Sequence, residues 1–502
     1  MRRRSIWRLL GCASLPGFLA AAESTIPPHP RDLLFEEAQI ELPTVENRRV
    51  QLADGPVVFL AEDHTLPLVE ISLAMRVGSF LEPPDEAGLA FLTATQIRRG
   101  GTADLDANRF DDRLDSLGTR IDTMSGTTRS GASVSVPTWA LDEGLDLFFA
   151  MLAQPGFQAD RLAVSRGNLL ESLSRRNESA LEILEREWEW LMYGKGHFST
   201  RPMTPRSLED IDRGDLERFH RAHWHPAQMI LAVSGDFDPQ GLLANLQNRF
   251  ARWPAADLPP PPVVWPPPPP TADTDPGLYH YEMNIPQAKV MLGHRLPRFL
   301  DWSEDDRFAL AVVAELLGGE GAISRIAGRL RTSEGLVYRA SVQLYPGDFW
   351  PGEIQIFFET RGSSVERALT LALEEVERLR TERVHPLELQ VVKQSLLARL
   401  RLRFDTAEEI AGYFAEDELL GRPHSYWQEY LEGVARVTIS DVQEAAEIYL
   451  QPRSMRVLIV GPWARVSPGT DQELSPVEAL VGHPRTQLQT RDPLTLEVYP
   501  AD

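Results

Sequence analysis

The sequence predicts an α+β protein of two similar lobes, each a mainly antiparallel mixed sheet with helices packed on one side. Three observations carry this. Strand-like runs are followed by pairs of helical runs, without the regular strand–helix–strand alternation that builds a parallel sheet. A proline-rich stretch, ARWPAADLPPPPVVWPPPPPTADTD at 251–275, divides the chain near its middle. Features before that stretch recur after it at a nearly constant offset. A length of 502 residues agrees, since domains commonly run to ~100–200 residues.

The start reads as an export signal. Met1 to Arg8, MRRRSIWR, is basic; Leu9 to Ala22, LLGCASLPGFLAAA, is short, apolar and ends in small residues. That pattern predicts cleavage after Ala22, so residues 1–22 are expected to be removed, with a periplasmic location where the cell has an outer membrane. The lone cysteine, Cys12, lies in this segment. No intrachain disulfide or cysteine zinc cluster can therefore form. No later run reaches the ~18 uninterrupted apolar residues of a membrane span, so stable membrane insertion is not expected. The chain carries 51 Lys+Arg against 73 Asp+Glu, a formal charge of −22. That acidity disfavours nucleic acid and anionic membrane surfaces as partners.

A short N-terminal segment, 23–44, leads into a first lobe at 45–250. Its strands start with Val57-Val58-Phe59-Leu60 and Val69-Glu70-Ile71-Ser72-Leu73. Prolines in runs favour extended polyproline, so 251–276 is expected to be a semi-rigid linker. The second lobe, 277–465, begins with Ala288-Lys289-Val290-Met291-Leu292. Gly100-Gly101 matches Gly318-Gly319, Arg113-Leu114 matches Arg329-Leu330, and Gly118 matches Gly335. Leu169-Leu170 and Leu173 match Leu396-Leu397 and Leu400, after a longer loop near Tyr345-Pro346-Gly347-Asp348. Such order argues for duplication of one α/β unit. Leu369, Ala372, Leu373, Val376 and Leu379 form one helical apolar stripe. Ser303 is expected to open a helix, with Asp306 as a capping carboxylate. The remainder, 466–502, reads as a mobile tail.

Several chemistries are absent. There is no G-x-S-x-G elbow, no G-x-x-x-x-G-K-[ST] loop, and no H-E-x-x-H or H-x-x-E-H pair. The densest histidine cluster is His220, His223 and His225 in FHRAHWHP. His220 and His223 lie one turn apart, but Pro226 stops the helix and no acid nearby completes a metal set. A helix end, a turn and the strand Met229 to Val233 is the simpler reading.

Val77-Gly78-Ser79, Glu82, and Ala87-Gly88-Leu89-Ala90, followed by Gly101-Thr102, resemble the surroundings of the zinc helix in the insulinase/pitrilysin peptidases. FHRAHWHPAQMILAVSGDFDP at 219–239 resembles the end of that family's first domain. The family's helix carries H-x-x-E-H, whereas this one reads Phe91-Leu92-Thr93-Ala94-Thr95. The resemblance implies that Phe91 and Thr95 replace two metal ligands, that Ala94 replaces the general base, and that Glu171 takes the third ligand's place. Phenylalanine has no lone pair for zinc, threonine is a poor neutral donor, and alanine cannot take a proton from water. No metal is expected in this chain. Ser324-Arg325-Ile326, Leu330-Arg331 and Gly335-Leu336-Val337-Tyr338 resemble the family's second-domain segment, whose arginine and tyrosine reach substrate. That implies a substrate or oxyanion contact for Arg331 and Tyr338; a guanidinium and a phenol are suitable donors.

The pattern is most similar to the branch resembling the mitochondrial processing peptidase, in which two different chains pair. The resemblance implies two α/β-roll lobes forming half a shell. It implies a non-catalytic, substrate-clamping subunit of a heterodimeric zinc peptidase, inactive alone. Its partner would be a homologous chain supplying zinc, and its substrates unfolded peptides held partly as added strands. The alternatives are an inert structural subunit and a stand-alone, chaperone-like peptide binder of the cell envelope.

Overall fold

Alternation sets the strands. In β3 (Leu68–Met75), Val69, Ile71, Leu73 and Met75 are buried, as period-two geometry requires of a strand with one face on a core. The computed structural model describes residues 41–53, 55–254, 262–269, 275–319, 324–467 and 475–499. The expected export signal at 1–22, nearly all of segment 23–44 and part of the linker lie outside the described residues. Leu42–Asp502 forms one compact unit.

The first lobe runs β1 (Arg49–Gln51), β2 (Val57–Glu62), β3, α1 (Leu89–Arg99), α2 (Ala107–Leu117), β4 (Arg120–Ser125), β5 (Ser130–Pro137), α3 (Leu141–Ala153), α4 (Ala159–Arg175), α5 (Ala180–Tyr193), α6 (Pro205–Asp210), α7 (Arg213–His223), β6 (Ile230–Gly235) and α8 (Pro239–Phe250). The second runs β7 (Gly277–Glu282), β8 (Gln287–Arg295), α9 (Asp306–Gly318) and α10 (Arg325–Ala327), which passes into a π-helical segment, Gly328–Ser333. It continues with β9 (Val337–Tyr345), β10 (Glu353–Arg361), α11 (Val365–Thr381), α12 (Pro386–Leu402), α13 (Ala407–Leu420), α14 (Tyr426–Arg436), α15 (Ile439–Tyr449), β11 (Arg456–Gly461), α16 (Trp463–Val466), α17 (Pro476–Val481) and β12 (Arg485–Leu488).

The sheets have the orders β1-β2-β6-β3-β5-β4 and β12-β7-β11-β8-β10-β9. Five strands correspond position for position. β2 and β6 pair in parallel, as do β7 and β11; the other pairs among these five are antiparallel in both lobes. Equivalent glycines end equivalent turns, Gly118 and Gly335 both lying in the left-handed region at φ +61° and +63°. The expected mixed, mainly antiparallel sheets are therefore present. The sixth strand differs: β1 joins β2 antiparallel, whereas β12 joins β7 in parallel.

Each lobe's own helices bury one face of its sheet. The stripe Leu369, Ala372, Val376 and Leu379 of α11 is fully buried in the second core. The opposite faces are covered by exchange. Ile183, Leu184, Trp188 and Met192 of α5 pack on Tyr281, Met291, Leu458 and Val460 of the second sheet. Reciprocally, Ala411, Phe414, Ala415 and Leu419 of α13 pack on Phe59, Ala61, Ile230 and Ala232 of the first sheet. Helices thus lie on both faces, an addition to the one-sided packing expected.

Three local expectations are corrected. Ser303 does not cap a helix: its hydroxyl and N–H bond Asp301, and α9 begins only at Asp306. The described part of the linker fastens the lobes as well as spacing them. The Arg76 guanidinium of the first lobe sits 4.1 Å from the Trp265 ring centroid, and Trp265 also packs near Phe349 of the second lobe. The segment read as a mobile tail supplies β12 and buries Val477 completely. Its carbonyls also accept from the first lobe, Arg176 Nη2 donating to Leu494 at 2.6 Å and Asn177 Nδ2 to Arg491 at 2.8 Å.

Two outcomes follow from the α5 and α13 seams. Phe414 is 3% exposed and lies 6.2 Å from the Phe59 ring. Phe414→Ala is expected to cost about 3–5 kcal/mol in denaturant unfolding, as for other large core truncations. Glu353 lies in the α5 seam, its carboxylate facing Trp188 and Tyr193 and accepting from Gln355 Nε2 at 2.7 Å; burial pushes its pKa up to about 7. A raised carboxyl holds its proton in the fold but loses it when unfolded. Its contribution to stability therefore falls between about pH 4.5 and 7 and stays low above. Thermal unfolding at pH 5.5 and pH 8 is expected to show a smaller pH-dependent loss in Glu353→Gln than in the unaltered chain.

Candidate functional site

Helix α1 is held at its N-terminus from outside itself. Gly88 takes φ +105° before the first turn, a conformation glycine adopts without strain. The Glu82 carboxylate accepts from Ala90 N at 2.8 Å and Gly88 N at 3.2 Å, satisfying two of the orphan donors of the first turn. Burial pushes Glu82 up to about 7, against the opposing pull of those N–H groups. A Cβ on Gly78 would lie 2.5 Å from the Thr127 carbonyl, so the approach to α1 needs glycine there.

The helix's inner face is apolar and well tied. Leu92, Ala94 and Ile97 are buried; Gln96 Nε2 donates to Ser165 Oγ of α4 at 2.8 Å. The sheet's edge strand β4 lies alongside, Thr123 Oγ1 donating to the Ala94 carbonyl at 2.7 Å and Arg98 Nε to the Ile121 carbonyl at 2.8 Å. Ala94 is 2% exposed. Phe91, exposed to 38%, and half-buried Thr95 are one turn apart on the outer face. Glu171 lies on α4, exposed and ion-paired with Arg175 one turn on. Among the described residues no group of three or more His, Cys, Asp or Glu side chains could hold a metal.

The histidine cluster is dispersed by its bonding. His220 is buried, its Nε2 bonding the Leu152 carbonyl at 2.8 Å, and burial pushes its pKa down to about 4. His223 packs on the Phe219 ring. The His225 ring accepts from Ala227 N as the cap of the next turn.

In the second lobe, Arg325 of α10 makes a bidentate pair with Glu388 of α12, at 2.7 and 2.8 Å. The chain then widens into the π-helical segment, a rare form that recurs at functional sites. Leu330 is buried and Arg331 beside it is exposed. Gly335 turns the chain, Leu336 N donates to the Leu330 carbonyl at 2.9 Å, and β9 begins. Tyr338 stands at the start of this edge strand, 87% exposed. Neither the Arg331 nor the Tyr338 side chain makes a hydrogen bond or ion pair with any described residue. Neighbouring Glu334 takes Arg329 and Arg367 instead.

Sequence reasoning missed a crevice of 290 Å³ beginning next to Tyr338. Arg339, Ser341 and Gln343 of β9 line it opposite Glu185, Trp188 and Glu189 of α5. The signal was the period-two polarity of β9, which puts Arg339, Ser341 and Gln343 on one face.

Comparison with known proteins agrees with this architecture. The family model described as insulinase (peptidase family M16) matches residues 57–204, and that described as peptidase M16 inactive domain matches 210–396. The non-peptidase homolog YmxG of Helicobacter pylori is 22% identical over 84% of this chain and 95% of its own length. The zinc protease PqqE of the same organism is 22% identical over 92% of this chain and 100% of its own. Among solved structures, a peptidase M16 inactive domain from Pseudomonas fluorescens superposes with a TM-score of 0.72 at 21% identity, covering 82% of this chain and 97% of that one. With the two models of one family matched in order along 57–204 and 210–396, the chain belongs to the insulinase, or M16, peptidase family.

Proposed function

We propose that this chain is a non-catalytic M16 subunit that clamps peptide substrate for a homologous, zinc-bearing chain. The observation that carries the reading is an asymmetry. Helix α1 presents Phe91, Ala94 and Thr95 where zinc chemistry needs lone pairs and a base, while Arg331 and Tyr338 stand exposed and unpartnered at the edge of the second sheet.

The physics on each side is direct. Glu171 alone, solvated and paired with Arg175, offers a single carboxylate, and a zinc site needs three or four ligands. Water activation also needs a base beside the metal, and buried Ala94 provides none. A partner's zinc would polarise the peptide carbonyl. The part of this chain is to bring a planar guanidinium and a phenol O–H as donors to that carbonyl or its developing oxyanion. A long charged side chain left without a partner at a strand edge is poised for a ligand that supplies acceptors, and an extended peptide does so. The name of the YmxG relative, non-peptidase homolog, supports a non-catalytic reading; the basic and apolar start of the chain supports export. An inert structural subunit would have no use for the exposed pair.

Two experiments test this. Purified alone after growth with zinc, the chain is expected to carry no stoichiometric metal by elemental analysis; one tightly held zinc per chain would overturn the reading. Co-expressed with a zinc-bearing homologue, the pair is expected to cleave an unstructured peptide. Arg331→Ala and Tyr338→Phe are each expected to lower kcat/KM about 10–100-fold, the range for removing one oxyanion donor or substrate anchor. Unaltered cleavage in both variants would remove their assigned role.

A further inference from the structure

The second lobe contains a cavity of 870 Å³ that the clamp reading does not use. It lies among the start of α9, the C-terminal half of α12, the first turns of α14 and the β9–β10 connection. Its volume is within the ~300–1,000 Å³ typical of small-ligand sites.

Its chemistry is one-sided. Two guanidinium groups are built into the wall. Arg307 donates from Nε to the Asp301 carbonyl at 2.7 Å and from Nη2 to the Gly347 carbonyl at 3.1 Å, and stacks 4.0 Å from the Trp302 ring centroid. Arg422 pairs with Asp417 at 3.1 Å and Asp348 at 3.6 Å, 4.5 Å from the same ring. Its Nε is buried with no acceptor. Arg399 pairs with Glu315. Arg403 differs: it lies over the Tyr413 and Trp427 rings at 5.5 and 5.3 Å and has no carboxylate partner among the described residues. The hydroxyls of Tyr426 and Tyr430, both lining the cavity, also make no hydrogen bond with a described residue. Burial pushes both phenols above their usual pKa, so both keep their protons and remain donors.

The cavity therefore gathers donors that lack acceptors. Three of its four guanidinium groups are met by carboxylates: Arg399 by Glu315, Arg422 by Asp417 and Asp348, and Arg307 by the nearby Asp348 and Asp301. Arg403 has no carboxylate partner among the described residues, and a single carboxylate is the charge that pairs it. Leu396, Leu400 and the aromatic rings form an apolar bed beside the donors. We infer that this cavity binds a carboxylate with an apolar or aromatic body, the free C-terminal end of a peptide being the class that fits. Arg403 and the two tyrosine hydroxyls would hold the carboxylate, and the final side chain would lie against Trp427 and Leu400. The inference stands apart from the clamp reading, since it needs neither a partner chain nor a metal.

The probe is the tripeptide N-acetyl-Ala-Ala-Phe as free acid and as C-terminal amide. Binding to the full chain is measured by calorimetry and by the fluorescence of the cavity tryptophans. The acid is expected to bind, and the amide at least about tenfold more weakly, the worth of one charge-assisted hydrogen bond. Arg403→Gln, at an exposed position where folding is not at stake, is expected to weaken the acid about tenfold and the amide little. Tyr430→Phe removes only a hydroxyl and is expected to act in the same direction, while Arg206→Ala, on an exposed side chain of the first lobe, leaves binding unchanged. Equal binding of acid and amide, no binding at millimolar peptide, an unaffected Arg403→Gln, or tighter binding of inorganic phosphate than of the acid would each overturn the proposal.

Discussion

The reciprocal burial of α5 and α13 is the constraint on which the rest of the molecule depends. A mixed sheet has two faces, and β2, β6 and β11 are buried on both along almost their whole length. In β11 every residue is buried. Helices of the same lobe can cover only one of those faces. The other is covered by a helix the chain lends across, and each lobe lends one while receiving one. Hydrophobic burial of this kind stabilises by about 25 cal/mol per Å² removed from water, and here the same burial fixes the relative position of the lobes. The Trp265 strap and the Arg176 and Asn177 bonds to the C-terminal segment add direction to an association that burial makes strong.

This explains why α1 is held in place whatever its outward side chains are. Glu82, Gly88, Gln96 and Thr123 hold the helix by its backbone and inner face, and none of these contacts needs a metal. A helix so fixed can exchange its outward side chains freely. Phe91 and Thr95 are such outward positions. Ala94 is not, and with 2% exposure it sits where a carboxylate would have to be buried. The second lobe shows the converse: an exposed arginine and an exposed phenol flank the turn from a π-helical segment into an edge strand.

Much of this was legible in the chain. The alternation of β3, the apolar stripe of α11 and the matched glycines at 118 and 335 gave both lobes and their order, because each is a local pattern with one physical meaning. The Phe91-Leu92-Thr93-Ala94-Thr95 run and the Arg331–Tyr338 spacing stand in the sequence too, and the roles given to them belong to the proposal. The exchange was not. The apolar faces of α5 and α13 are plain in sequence, but an apolar face does not say which sheet receives it. The helix start at Asp306 was misplaced because Ser303 spends its hydrogen bonds on Asp301. The C-terminal strand was missed because Arg485–Leu488 is short and polar, and pairs at a sheet margin where side-chain pattern is weak.

The unequal sixth strands set the extent of the repeat. Five strands correspond in order and direction, but one lobe completes its sheet with a piece from upstream and the other with a piece from downstream, running the opposite way relative to its neighbour. The unit shared by the two halves is therefore five-stranded, and the two sheet margins at β1 and β12 present different backbone edges to whatever meets them.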